Sequence, residues 1–188
     1  MKKFTQQAYR LLAVKTVCAL LIIFIASGCF SVKPSTTKSG KNLYETFFVG
    51  EEGTQYFIKP IAFENSDKTE SLLLDLTFRY KNEIKDSTVL NFTLEGPDIY
   101  KNFDAVSIAN PELLAAAQNL ELLFNETDKG RYISRFTAKI SLADTHKLFQ
   151  DNNWTLTLSS SDLSREYVPN KKNLKVIHTL RNAVFSIM

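Results

Sequence analysis

Cysteine is nearly missing from this chain: the only two, Cys18 and Cys29, fall within the first 29 of 188 residues. Everything after Cys29 therefore lacks a disulfide, a thiolate metal site and a cysteine nucleophile. Histidine is as scarce. His146 and His178 are far apart in sequence, and neither has a His, Cys or acid beside it at a metal-ligand spacing. Six glycines are too few and too scattered to form a phosphate-cradling loop, and no serine sits in a nucleophile-elbow pattern. Acid pairs do occur. Glu51-Glu52 lies between Gly50 and Gly53, as a solvated hairpin tip would, and the stretch from Asp98 to Asp104 lacks the acid spacing and glycine of a calcium loop. The expectation is a protein that is not an enzyme, with no catalytic residue, no cofactor and no metal.

Charge of one sign is also lacking where it would matter. The whole chain is formally +3, but residues 1–28 hold Lys2, Lys3, Arg10 and Lys15 and no acid. From Asn42 onward 16 basic side chains face 20 acidic ones, a net −4. Nucleic acid is bound through a concentrated positive surface that neutralises phosphates, so this body excludes nucleic acid as a partner.

The N-terminus is more informative. Met1-Lys2-Lys3 opens the chain, Arg10 and Lys15 add positive charge, and Thr16 to Phe24 is free of charge. Ile25-Ala26-Ser27-Gly28-Cys29 then closes the apolar run with small residues before a cysteine. A basic head, an apolar core and a small-residue cleavage point form a secretory signal. This segment resembles the lipobox of bacterial lipoproteins. The resemblance implies cleavage between Gly28 and Cys29, and acyl chains such as palmitate on Cys29. It also implies a protein held to a membrane of the cell envelope, with Phe30 after the cysteine pointing to the outer membrane. The rival reading is an uncleaved signal anchor, since Thr16 to Val32 is 17 residues without charge. That is the lower edge of the ~17–25 residues that span hydrocarbon.

The expected organisation is a signal peptide over 1–28, a lipidated Cys29 and polar spacer over 29–42, and one β-rich domain over 43–188. Alternation of apolar and polar residues predicts strands over Glu70–Tyr80, Thr88–Glu95, Arg131–Ile140 and from Trp154. Weaker patterns over Leu43–Val49 and Tyr56–Phe63 add two more, with Pro60 favouring an edge or a bulge. Leu120–Phe124 pairs with the Arg131 strand as a hairpin in this reading. Asn110-Pro111-Glu112 reads as the capped start of a short helix, and Ser141 with Asp144 starts another. The C-terminus reads as a helix to about Arg181 and then a short strand. Seven to nine short strands predict a mainly β chain: a single antiparallel β-sandwich, with an immunoglobulin-like arrangement as one form, and one to three short helices.

Aromatic residues are what the domain has in excess. Phe47-Phe48, Tyr56-Phe57, Tyr100 with Phe103, and Tyr132 with Phe136 are mostly expected in the core. Tyr and Phe also concentrate where partners bind. Tyr100 and Phe103 follow the break at Gly96-Pro97. They are the candidate partner surface, and at least one of them is expected to be exposed. The functional expectation is a membrane-anchored cell-envelope lipoprotein with a monomeric, non-enzymatic domain that binds another envelope protein or assists an assembly. The alternative is a binder of a small lipid, glycan or peptide through an aromatic groove.

Overall fold

The computed structural model describes residues 43–82 and 86–188. The signal segment, Cys29 and the spacer lie outside the described residues. Ten strands run in the order β1 (Tyr44–Phe48), β2 (Thr54–Glu64), β3 (Ser71–Tyr80), β4 (Ser87–Gly96), β5 (Ala105–Ala109), β6 (Leu114–Gln118), β7 (Glu121–Asp128), β8 (Arg131–Ser141), β9 (Thr155–Ser159) and β10 (Ser164–Pro169). Helix α1 (Leu142–Leu148) lies between β8 and β9, and α2 (Lys171–Ala183) follows β10. All strand pairings are antiparallel.

The expected β-sandwich is not what forms. The strands make one hydrogen-bonded sheet in the order β6-β5-β9-β10-β2-β3-β4-β8-β7, with β1 added on β2, and this sheet curls into a half-barrel. The physical reason lies in β2. It pairs with β3 along its length; on its other edge its first half pairs with β1, and Phe63 and Glu64 at its far end pair with Pro169 and Val168 of β10. One long strand thus joins what would otherwise be two separate sheets. A register shift between Ile58 and Ile61, at Pro60, bends it, as a β-bulge does. A second shift between Leu122 and Phe124 bends the edge strand β7 against β8. One-sided alternation is the same in a sandwich and in a curled sheet, so the sequence pattern does not separate the two.

The inner face carries the core. Leu72, Leu74, Leu76 and Phe78 of β3 and Leu90, Phe92 and Leu94 of β4 are buried together with Val106, Ile108, Leu156 and Leu158 from the other end of the sheet. Helix α1 starts where expected, with Ser141 Oγ accepting from the Asp144 amide at 2.9 Å. Helix α2 caps its own start through Asn170, whose side chain accepts from the Lys172 and Asn173 amides. It buries Ile177 and Leu180. The strand expected after it is a 3-10 turn, Phe185–Ile187. That turn stacks Phe185 on Phe149 with ring centroids 3.8 Å apart, so burial of one aromatic decided the local geometry.

The helix expected after Asn110 is strand β6. Asn110 does act as a cap-like acceptor for the Glu112 and Leu113 amides, but the turn it closes is the β5–β6 hairpin. Its Nδ2 donates onward to the Lys147 and Leu148 carbonyls. Ala115 and Ala117 are buried while Leu114 and Ala116 are exposed, a period of two.

Candidate functional site

A buried carboxylate organises the end of the sheet where β2 turns into β3. Glu70 is in phase with Leu72, Leu74 and Leu76, so the alternation that buries those leucines carries Glu70 inward too, to 3% exposure. A buried carboxylate is tolerated when it is hydrogen-bonded. Here Tyr100 Oη donates to Glu70 Oε1 at 2.5 Å and Tyr167 Oη donates to Oε2 at 2.6 Å. The Glu70 amide donates to Asn65 Oδ1 at 3.0 Å, tying the residue into the β2–β3 turn. Arg165 brings positive charge to within 3.9 Å of Oε1, and its guanidinium lies 5.9 Å from the centre of the Tyr100 ring.

Gly96 makes room for this arrangement. A Cβ there would stand 3.1 Å from Glu70 Cγ and 3.7 Å from the Tyr100 ring. Burial pushes the Tyr100 phenol up to about 12, and its hydrogen bond to Glu70 and the charge of that carboxylate push the same way. Tyr167 is pushed up by the same three causes in the same order. Two phenols held protonated against one carboxylate form a staple between β3, β10 and the segment before β5. Neither is poised to give up a proton near neutral pH.

The structure therefore corrects the exposure expected of the candidate surface. Tyr100 is 9% exposed and Phe103 5%. They lie against each other with ring centroids 5.6 Å apart, and Phe103 meets Phe136 edge-on at 5.6 Å. The break at Gly96-Pro97 does leave an irregular segment, but the chain folds back over the end of the sheet. Tyr100 has a buried acceptor there, and Phe103 fills the space beside β8. Of the large apolar residues in this stretch it is Ile99 that is exposed.

Beside Phe103 lies an open depression of about 720 Å³ between Lys101–Ala105 and Gln118–Leu122. Its rim is mostly polar, with Lys101, Asn102, Asp104, Gln118 and Asn119 contributing. His146 is tied down structurally, with Nε2 3.1 Å from the Phe185 carbonyl, while His178 is exposed on α2. Among the described residues no group of three or more His, Cys, Asp or Glu is placed to hold a metal ion.

The exposed aromatic surface is elsewhere, at the β1–β2 hairpin. Phe48 is 77% exposed, and Phe47, Val49 and Phe57 are exposed beside it. Phe47 and Phe57 meet edge to face at 5.5 Å, and among the described residues β1 pairs with β2 alone. The hairpin tip is held by the Val49 amide donating to the Gly53 carbonyl at 2.8 Å, by Gly50 and Gly53 at positive φ, and by an ion pair between Arg79 and Glu52. A rigid turn thus presents large apolar side chains to solvent. The sequence held a signal for this: adjacent residues of a strand point to opposite faces, so Phe47 and Phe48 could not both enter one core. Comparison with protein-family models, with characterised proteins and with solved structures found no match to this chain.

Proposed function

We propose that this protein is a lipid-anchored component of the bacterial cell envelope, held at the outer membrane through Cys29, whose β-rich domain is a non-enzymatic module for binding another envelope protein. The observation that carries the binding role is the exposed cluster of Phe47, Phe48, Val49 and Phe57 on the rigid β1–β2 hairpin. Single exposed apolar residues are ordinary, but four of them on one hairpin, two in edge-to-face contact, have the composition of an interface centre. The buried Glu70 cluster supports the same reading from the other side. The phenols with the strongest local perturbation, Tyr100 and Tyr167, are hydrogen-bonded to Glu70 as a structural staple.

A second reading, a small polar ligand such as a glycan or peptide, is favoured by the polar depression beside Phe103, whose size suits one.

The hairpin role is tested by replacing Phe47 and Phe48 with Ser in the full chain. The double variant is expected to melt close to the parent, because both side chains are exposed, and to lose the protein recovered with the parent after cross-linking in native membranes. Undiminished recovery of the same partner by the variant refutes the role.

A further inference from the structure

Positive charge in the domain is gathered on one helix. Residues 170–188 contain Lys171, Lys172, Lys175 and Arg181 and no acid. The remainder of the domain, 43–169, then holds 12 basic against 20 acidic side chains. Lys171, Lys172, Lys175 and His178 are exposed on α2, while Ile177 and Leu180 on its opposite face are buried against the sheet. The helix is fixed to β2, with the Ala62 amide donating to Asn173 Oδ1 at 3.4 Å.

Two acids beside this helix are already engaged. Glu45 pairs with Lys59 at 3.1 Å, and Glu64 accepts from Asn170 Nδ2 at 3.2 Å. Among the described residues, none of the four basic side chains of α2 has an acidic partner within ion-pair distance.

The place where the chain joins the domain lies on the same side. Leu43, the first described residue, lines a depression of about 540 Å³ together with Lys59, Lys172, Lys175 and Val176. Only 13 residues, 30–42, separate Leu43 from Cys29, the proposed attachment point, a span of at most about 50 Å. Those 13 residues add Lys33, Lys38 and Lys41 and no acid. By contrast Phe48 lies five residues up β1 from Leu43, roughly 17 Å further along the strand.

We infer that α2 is the membrane-facing side of the domain, and that its basic face rests on anionic lipid head groups beside the anchor. This rests on the lipid-anchor reading of Cys29. Basic residues near an anionic surface are attracted within a Debye length, about 8 Å at physiological salt, so the helix has to lie close to the bilayer to contribute. The tether keeps the helix within about 50 Å of the bilayer and so raises its local concentration there. Charge attraction supplies the final approach, and the acidic remainder of the domain is repelled by the same surface. The helix and the anchor together hold the domain in one orientation, with the aromatic hairpin turned away from the attachment point.

Residues 43–188 are a fair reagent for the test, since every buried hydrophobic residue of the described structure lies between Ile58 and Phe185. The domain is mixed with vesicles of phosphatidylcholine alone and with vesicles that also contain phosphatidylglycerol. Full chain isolated from its own membranes is floated in parallel on neutral vesicles. The expected result is domain binding to anionic vesicles only, weakening with salt. It should fall on the order of fivefold for each basic residue removed in the series Lys171→Gln, Lys172→Gln, Lys175→Gln and Arg181→Gln. The Lys172→Gln, Lys175→Gln pair, both fully surface changes, suffices if the fourfold variant melts early. Equal binding to neutral vesicles, or binding unchanged by these substitutions, overturns the proposal. So does displacement by soluble polyglutamate at concentrations that leave a generic basic peptide bound, which assigns the helix to an acidic protein. Failure of the full chain to float on neutral vesicles refutes the anchor alone, and vesicle binding by the excised domain then still decides for or against the helix.

Discussion

Tyr167 donates its hydroxyl to Glu70 Oε2 at 2.6 Å across 97 residues of sequence, and Tyr100 donates to the other oxygen of the same carboxylate. The pair of bonds fixes three segments with no local connection: the start of β3, the irregular stretch before β5, and β10. Since β10 meets β2 through only two residue pairs, this staple reinforces the weakest junction of the curled sheet.

Replacement of Glu70 by Leu leaves two buried phenols without an acceptor. Hydrogen bonds to a charged group contribute about 1.5–3 kcal/mol each, so the loss is expected to reach at least about 3 kcal/mol in urea unfolding. Glu70→Gln keeps one acceptor oxygen and is expected to lose less. Tyr167→Phe should fall between the parent and Glu70→Leu. An equal loss for Leu and Gln would show that the hydroxyl bonds contribute little.

Alkaline pH probes the same site. Tyr100 titrates at about 12 in the folded state and Tyr167 is also raised, against about 10 for an unperturbed tyrosine. The folded state thus retains protons that the unfolded chain gives up. The stabilisation is fully present below about pH 10 and is lost as pH rises through about 12. Midpoints measured across that window should fall more steeply for the parent than for Tyr100→Phe or Tyr167→Phe. Parallel slopes would contradict the assignment.

Gly96→Ala tests the close approach behind Glu70. A methyl group 3.1 Å from Glu70 Cγ forces that buried side chain, held by two tyrosines, to shift by a few tenths of an ångström. A loss of about 1–3 kcal/mol is expected, as for overpacking in a filled core. Gly130→Ala offers a contrast: no atom lies within 4 Å of the added carbon, so any cost there comes from its positive φ alone.

Much of the sheet could be read from the sequence because β3, β4 and β8 each bury one face, and their alternation is unbroken. The curl could not, since it depends on how far along β2 the pairing with β10 begins. Short strands β5, β6 and β10 also escaped. Ala115 and Ala117 pack on a helical or an extended backbone equally well, and Asn110 caps either kind of turn. Glu70 was legible after the fact: an acid in phase with four inward residues of β3 has to be buried with partners. Those partners, Tyr100 and Tyr167, are long-range and leave no local trace. The same holds for Tyr100 and Phe103, where a loop-like break gave no hint that the segment folds back onto the sheet.

Because Tyr100 and Phe103 are core residues, changing both to Ala is expected to act on folding. Each aromatic truncation costs about 3–5 kcal/mol, and together they approach the whole stability of an ordinary domain. Loss of cooperative melting is the expected readout, in contrast to a change of about 1 kcal/mol or less for exposed Phe48→Ser.

The binding role of the β1–β2 hairpin is tested most directly by a photo-activatable amino acid placed at Phe48 in the full chain, with the same group at exposed Lys139 on β8 as the control. Irradiation of intact membranes is expected to give one discrete adduct of higher mass from position 48, absent from position 139 and carrying a second envelope protein. Equal, diffuse labelling from both positions, or lipid as the only adduct at position 48, would contradict the account.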